Sequence, residues 1–411
     1  ALLSTFSQNT VGIALARMLG GLAFGGALVV VPIYISEIAP PDKRGRLVSL
    51  QQLNIVFGFL AAYFSNYFIT VYFGDTLIQE VIWRIMLGVE LVPATLFVLL
   101  LRLIPETPIW ERQQTNIVWE PDVSIRMKVL DWWKTQRRHL QELWSSTWRK
   151  IFLIAIFIGI IQQITGINAI FFYATSIFEK TGIGVDASLA QTVAVGVVNI
   201  LFTFLAILTI DRVGRRVLLL AGLTGIVLCM SITSYGFHHQ SYQFPILDSR
   251  YTVGVEDTYR QVSEALDGMT IQTEDHFRST LEHSWAQYDD QMIPPILYKE
   301  ILEEARVIDK PWLVLLGILG FVASFACSLG PVMWVLLSEL FSNTHRGLAI
   351  SIVGFLNSFA SWLTQFLFPL ELNSLGDSFT YGSFAVIAFI GWVVIYYYLP
   401  ETKNKLISEV I

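Results

Sequence analysis

The sequence predicts an all-α membrane protein built from two related halves, and three observations lead there. The chain is too apolar for a water-covered surface: 54% of its 411 residues are hydrophobic, 15% are charged, and the mean hydropathy is +0.56. Its apolar runs are long enough to cross a bilayer, which takes about 20 helical residues. One phrase is also written twice. Ser36-Glu37-Ile38 is followed by Arg44-Gly45, and Ser338-Glu339-Leu340 by Arg346-Gly347 at the same spacing. Pro105-Glu106-Thr107 trails the first copy and Pro400-Glu401-Thr402 the second. Charge at the end of an apolar run is expensive. Matching charged phrases at matching helix ends therefore mark a repeated unit, the organisation of a transporter.

Nine complete spans follow in order: 11–36, 45–72, 82–103, 150–178, 188–210, 216–237, 311–341, 345–370 and 380–399. Residues 1–8 read as the stub of an earlier span, and a start at Ala1 inside an apolar stretch reads as an N-terminal truncation. Glycines recur within the spans, at Gly20, Gly21, Gly25, Gly26, Gly58, Gly159, Gly166 and Gly196, as expected where helices approach closely in lipid. Cys229 and Cys327 sit in apolar segments and imply small-residue packing rather than a disulfide framework.

Positive charge sets the orientation. Lys43, Arg44 and Arg46, then Arg212, Arg215 and Arg216, then Arg346, then Lys403 and Lys405 all fall on one side if the spans alternate. The loops 41–46, 104–149 and 211–216 and the C-terminus are thus expected on the cytoplasmic side of the plasma (cell inner) membrane. The division expected is a partial first bundle at 1–103, cytoplasmic linker helices at 104–149, and a second bundle at 150–237 and 311–399. A tail at 400–411 ends the chain. Segment 116–148 is polar and Trp-rich, with helical spacing that suits interfacial helices.

Segment 238–310 is a polar insertion on the outer side, with 14 Asp/Glu against 6 Lys/Arg. Stretches 256–267 and 297–307 have helical character, and Pro294-Pro295 is expected to break them. Its histidines, His238, His239, His276 and His283, match no tight ligand spacing and read as solvated.

The chemistry lies with amides inside spans. Gln162, Gln163, Thr165 and Asn168 interrupt one span as Gln-Gln-Ile-Thr-Gly-Ile-Asn, Asn199 lies within the next, and Gln51 and Gln52 open an earlier one. Each amide offers two donors and an acceptor, which suits a ligand rich in hydroxyl groups. A lone amide is as well explained by helix–helix hydrogen bonding; several converging in one span point to a site. Trp334 offers a face on which a pyranose ring can stack, and the adjoining Gly330-Pro331 is expected to break its helix near the midplane.

At the cytoplasmic face Glu37 stands with Arg44, Glu339 with Arg346, and Asp211 with Arg212, Arg215 and Arg216, beside Glu106. Opposite charges gathered where two bundles meet can latch that face shut, which topology-setting positive charge alone would not explain. Arg17 lies early in its span. It is either a snorkelling anchor or, the preferred reading, half of a buried ion pair whose carboxylate comes from a span not present; it is the proton-coupling candidate.

These phrases, taken in order, resemble the sugar porter family of the major facilitator superfamily, which includes proton–sugar symporters and glucose facilitators. The resemblance runs from Arg17 through Pro-Ile-Tyr-Ile-Ser-Glu37, Arg44-Gly45 and Gln51-Gln52-Leu53 to Pro105-Glu106-Thr107-Pro108. It continues through Gln162-Gln163, Gly166-Ile167-Asn168, Asn199, Asp211-Arg212, Gly214-Arg215-Arg216, Gly330-Pro331, Trp334, Ser338-Glu339, Arg346-Gly347 and Pro400-Glu401-Thr402-Lys403.

It implies the two-bundle major facilitator fold, here from the end of the third helix to the twelfth, with a monosaccharide (hexose or pentose) bound between bundles and alternating access. The implied sugar contacts are Gln52, Gln162, Gln163, Asn168, Asn199 and Trp334. A proton is the implied coupling ion, the lipid bilayer the solvent, and no cofactor, metal or nucleic acid is implied. The chain departs from the pattern in lacking the first two spans and in carrying Ser358 near a second tryptophan position. It also has Asn404 where Gly is usual, and the insertion lies outside the pattern. A facilitative uniporter and a non-transporting sugar sensor that uses 238–310 are the alternatives. No nucleophile–base pair or metal triad points to an enzyme.

Overall fold

The computed structural model describes residues 2–40, 44–73, 79–107, 125–145, 148–181, 185–245, 254–289 and 292–402. The side chains of Glu37, Arg44 and Asp211 lie outside the described residues. In chain order the helices are α1 (Leu2–Thr5), α2 (Thr10–Ile38), α3 (Arg44–Phe73), α4 (Gln79–Gly88), α5 (Leu91–Leu101), α6 (Ile125–Leu143), α7 (Arg149–Ile164), α8 (Ile167–Glu179), α9 (Val185–Val213) and α10 (Arg215–His238). A small unit follows: β1 (Gln240–Tyr242), α11 (Glu256–Leu266), α12 (Glu274–Ala286), α13 (Pro295–Glu304) and β2 (Arg306–Ile308). Helices α14 (Pro311–Cys327), α15 (Leu329–Leu340), α16 (Asn343–Leu375) and α17 (Asp377–Tyr398) complete the fold. Among the described residues nine segments are long and apolar enough to span a bilayer, and they fall on the nine runs read from the sequence.

The main core lies in the second half. Helices α7–α10 and α14–α17 share one continuous cluster of buried apolar side chains, from Leu143 to Leu399. The fourth span, Arg149–Glu179, is 67% buried over its most apolar window, whereas the third, Val81–Leu101, buries none of its own. Lipid tails are as apolar as leucine, so the close fit of helices in a bilayer depends on packing.

The seam between α10 and α14 shows how. Gly222, Gly225 and Gly236 on one helix face Ser328, Ser324 and Val314 on the other, and Gly317 and Gly320 of α14 face Thr233 and Cys229. A Cβ at Gly222 would overlap the Ser328 side chain. In the same way Gly196 brings α9 against Leu60 and Tyr63 of α3, where the two halves meet.

Two spans of the second half are broken in the middle. Helix α7 stops at Ile164, Gly166 takes a left-handed conformation (φ 93°), and α8 starts at Ile167. A side chain at Gly166 would be strained by its φ and would also meet Phe384 of α17 at 2.5 Å. The second break is at Ser328 (φ −132°, ψ −96°), two residues before the Gly330-Pro331 where the sequence places it. Pro331 instead sits in the first turn of α15, where a missing N–H costs no helix bond.

The insertion also differs from expectation. Pro294-Pro295 starts α13 rather than breaking a helix, because a proline ring is pre-set for the first helical position. The helix ends at Glu304, and Arg306 with the β-branched pair Val307-Ile308 runs antiparallel to Gln240-Ser241-Tyr242. The unanticipated α12 supplies Phe277, Leu281 and Trp285 to a core of the unit's own, shared with Tyr242, Tyr259, Val262, Leu297 and Ile301.

Replacing Gly222 by Val forces α10 and α14 apart, at a cost of about 1–3 kcal/mol. The thermal midpoint of the detergent-solubilised protein should fall for Gly222→Val. It should stay unchanged for Gly21→Ala, whose added Cβ meets nothing within 4 Å.

Candidate functional site

The amides of the broken fourth span converge where the two helix breaks face each other. Gln162, 3% exposed in the last turn of α7, donates from Nε2 to the Leu329 carbonyl at 2.8 Å and to that of Gly330 at 3.4 Å, at the start of α15. Gln163 Nε2 donates to Gln162 Oε1 (3.3 Å) and to Asn357 Oδ1 (3.1 Å). Asn168, in the first turn of α8, donates to Gln163 Oε1 and to Ser361 Oγ, each at 2.7 Å. Asn357 of α16 closes the ring, its Nδ2 lying 2.7 Å from both the Gly159 carbonyl and Gln162 Oε1. Gln365 donates to Ser361 Oγ at 2.9 Å. Six polar side chains thus form one connected network across α7, α8 and α16. Donors and acceptors hold one another in fixed orientation, and a hydroxyl-rich ligand can exchange bonds with them one for one.

The other expected contacts are placed differently. Asn199 is buried on α9, and among the described hydrogen bonds none joins it to the network. Trp334 is half-buried on α15, with its ring tip 3.9 Å from where a Cβ on Gly354 of α16 would lie. Gln52 is half-buried on α3, which packs against α9 and α15, the helices that carry Asn199 and Trp334. Its neighbours Gln51 and Asn54 turn instead toward a mainly apolar cavity of about 450 Å³ between α2 and α3.

At the opposite end of α10, charges close on themselves. Arg215, side chain 10% exposed, donates from Nη2 to Glu339 Oε1 at 2.7 Å and from Nε to Oε2 at 3.1 Å. This parallel pair is the strongest geometry a guanidinium offers a carboxylate. Thr402 Oγ1 donates to the same Glu339 oxygen at 3.0 Å. Glu401 accepts from the backbone N–H groups of Arg215 (3.0 Å) and Arg216 (3.1 Å), so it caps α10 at its positive end. Gly214 (φ 103°) lets it approach, since a Cβ there would lie 2.8 Å from Glu401 Oε2.

Arg216 donates to the Tyr396 carbonyl and Arg346 to that of Phe341. Arg212 and Glu106 are exposed. The described part of this network joins α10, α15 and the tail, all in the second half.

Arg17 overturns an expectation. Its partner is in this chain: Nη1 lies 3.1 Å from Oε1 of Glu90, and both side chains are half exposed rather than buried. The turn Val89-Glu90 between α4 and α5 interrupts the third span and points its carboxylate at α2. On the linker, Glu142 Oε2 lies 2.8 Å from His345 Nε2, and His345 Nδ1 lies 2.9 Å from Ser342 Oγ. Trp148 and His139 stand beside the imidazole at 5.4 and 5.6 Å between ring centres. The hydrogen bond to His345, aided by Arg138, holds the Glu142 carboxyl below its ordinary value against a smaller desolvation effect.

Residues 1–244 and 306–410 match the model of a family described as sugar (and other) transporter. The chain belongs to that family. The unmatched stretch, 245–305, falls within the small unit between β1 and β2. A probable metabolite transport protein of Bacillus subtilis is 30% identical over 423 residues, covering all of this chain and 76% of that protein. The D-xylose-proton symporter of Escherichia coli is 29% identical, over 98% of this chain and 73% of its own. Among solved structures, a crystal structure of D-xylose-proton symporter superposes with a TM-score of 0.62 at 27% identity, over 97% of this chain and 73% of that one. The chain is therefore an integral, multi-pass membrane transport protein of the major facilitator type and not an enzyme.

In this transporter the sequence reading missed Asn357, Ser361, Gln365, Glu90 and Glu401 as members of the sites. The first three recur every fourth residue in a largely apolar run, a polar stripe on one helix face that spacing could have shown. Glu401 lay in the doubled Pro-Glu-Thr phrase without a role assigned. Glu90, a lone acid inside a span, was a signal in its own right.

The lowered Glu142 pKa fixes a pH dependence. Its contribution to docking the linker is complete above the ordinary carboxylate value, about 4.3, and is lost as pH falls through the lowered one. Hydrogen-exchange protection of residues 133–145, corrected for intrinsic rates, should hold down to about pH 4.3 and drop on further acidification. In Glu142→Gln that acid step should vanish.

Proposed function

We propose that this transporter carries a monosaccharide, a hexose or pentose, by alternating access and couples its movement to protons. The observation that supports the substrate most is the closed amide network of Gln162, Gln163, Asn168, Asn357 and Ser361 at paired helix breaks. A sugar offers the same alternation of donors and acceptors that these side chains now satisfy among themselves. Trp334 supplies a stacking face, and Gln52 and Asn199 complete the site from α3 and α9, where the two halves touch. Relatives named as a glucose transporter, from Staphylococcus epidermidis, and as D-xylose-proton and arabinose-proton symporters support the substrate class.

Coupling rests on Arg17 and Glu90. Glu90 is a carboxylate inside a membrane span, paired with Arg17 on a neighbouring helix. Proton uptake by Glu90 would release Arg17, which gives a two-state element for a proton to bias. The network around Arg215, Glu339 and Glu401, with Glu37, Arg44, Glu106, Asp211, Arg212, Arg216 and Arg346 in its surroundings, is read as the cytoplasmic gate. It braces the second bundle as one body that rocks against the first. The positive loops face the cytoplasm, in the plasma membrane, and 240–308 faces outward. Facilitated passage without a proton is the alternative the next measurement separates.

In proteoliposomes, Gln162→Ala and Asn357→Ala should each weaken uptake of radiolabelled D-glucose or D-xylose by about 10–100-fold, the loss of one to two buried hydrogen bonds at about 1–3 kcal/mol. Unchanged uptake in both removes the site. Glu90→Gln should abolish accumulation driven by an imposed pH gradient while leaving sugar exchange at equal concentrations intact. Gradient-driven accumulation at the wild-type level would exclude Glu90 as the coupling group.

A further inference from the structure

Asp377 opens α17 with its side chain 4% exposed, and two cations from distant parts of the chain meet on it. Lys180, at the C-terminal end of α8, puts Nζ 2.9 Å from Oδ1. Arg306, in β2 at the root of the inserted unit, donates from Nη1 to Oδ2 at 3.2 Å. The carboxylate also occupies the first turn of its helix, where the backbone dipole favours negative charge. Three elements thus share one buried anion: the second half of the broken span, the inserted unit and α17. The root is stiff on its own account, because β1 and β2 are paired there and Ser241 Oγ donates to Asp309 Oδ1 at 2.8 Å.

What makes this more than a surface ion pair is the helix it holds. Helix α8 is a short lever with both ends fixed. At one end the left-handed Gly166 joins it to α7, and two residues on Asn168 donates into the amide network. Midway, the Tyr173 ring lies 5.3 Å from that of Phe368 on α16. At the far end Lys180 is clasped. A tilt of α8 about Gly166 would shift Asn168 and strain the Lys180–Asp377 pair together, so the two contacts are mechanically linked through one helix.

We propose that Asp377, Lys180 and Arg306 form a clasp that sets the tilt of α8 and through it the position of Asn168, and that the inserted unit tunes the sugar site through Arg306. The three are positioning residues: they act through Asn168 and do not touch the sugar. This rests on the amide network being the substrate site. The clasp lies at the end of the fold opposite the Arg215 network, so the inserted unit acts on one face of the transporter only. Whatever displaces that unit pulls Arg306 from Asp377 and leaves Lys180 to hold the carboxylate alone.

The test uses the full chain with Cys229 and Cys327 replaced by Ala and Tyr173→Cys added, so that a membrane-impermeant maleimide reports when α8 leaves Phe368. Arg306→Gln, alone and with Lys180→Gln, is compared with Arg306→Lys; both cations are more than one-third exposed, so their loss is better tolerated than that of Asp377. Uptake of D-glucose and D-xylose is measured in parallel, in the same variants without the Tyr173→Cys label site.

In the double variant the labelling rate should rise about fivefold or more. KM should move by a similar factor with a smaller change in maximal rate, and Arg306→Lys should stay close to the parent. Labelling and KM both at the parent values overturn the clasp. So does an equal loss of folded protein in Arg306→Gln and Arg306→Lys with labelling unchanged, which is the mark of a structural role. If the parent takes up neither sugar, the transport reading fails on its own, and labelling alone then decides the clasp.

Discussion

Everything in this fold answers to the absence of water in the hydrocarbon layer, where a polar group freed from its helix must find a partner inside the protein. Two spans of the second half are broken near their middles, at Gly166 and at Ser328, and each break releases backbone groups that a continuous helix would have used. The breaks face each other, and Gln162 reaches from one to the carbonyls at the start of the helix that follows the other. The amides gathered beside the breaks make a polar, hydroxyl-matching surface within an apolar bundle.

The second constraint is proximity. Without a strong hydrophobic drive between helices, contact is gained by removing side chains, as the glycines and serines of the α10–α14 seam show. The resulting bundle is a close-packed frame in which the short helix α8 buries seven of its thirteen residues. At one end of α10 the frame is locked by Arg215, Glu339, Glu401 and Thr402. Across the fold, Lys180, Asp377 and Arg306 join α8, α17 and the inserted unit. A helix-end carboxylate organises each set: Glu401 caps the start of α10, and Asp377 sits in the first turn of α17.

The inserted unit follows a different logic. It has its own core of aromatic and aliphatic side chains, and its strands close its two ends together. A unit closed in that way can sit between two membrane helices without altering their packing, which is consistent with a family model that matches on both sides of it.

How much of this the residues announce on their own depends on range. Span number, the paired halves and the family were legible, because apolar runs, helix-end charges and short phrases are local patterns that the bilayer enforces. Gln162, Gln163 and Asn168 stood out because three amides in one apolar run must find polar partners inside the protein. The partners were not: Asn357 meets Gln162 across 195 positions, Arg17 meets Glu90 across 73, and Asp377 gathers Lys180 and Arg306 from two different elements.

The sequence by itself determined which residues are too polar for their surroundings. Only the tertiary structure decided which of them satisfy one another. An unpaired group in a low-dielectric interior is costly wherever it sits, whereas the identity of its partner depends on helix approach, and that depends on where the glycines and breaks let the backbones meet.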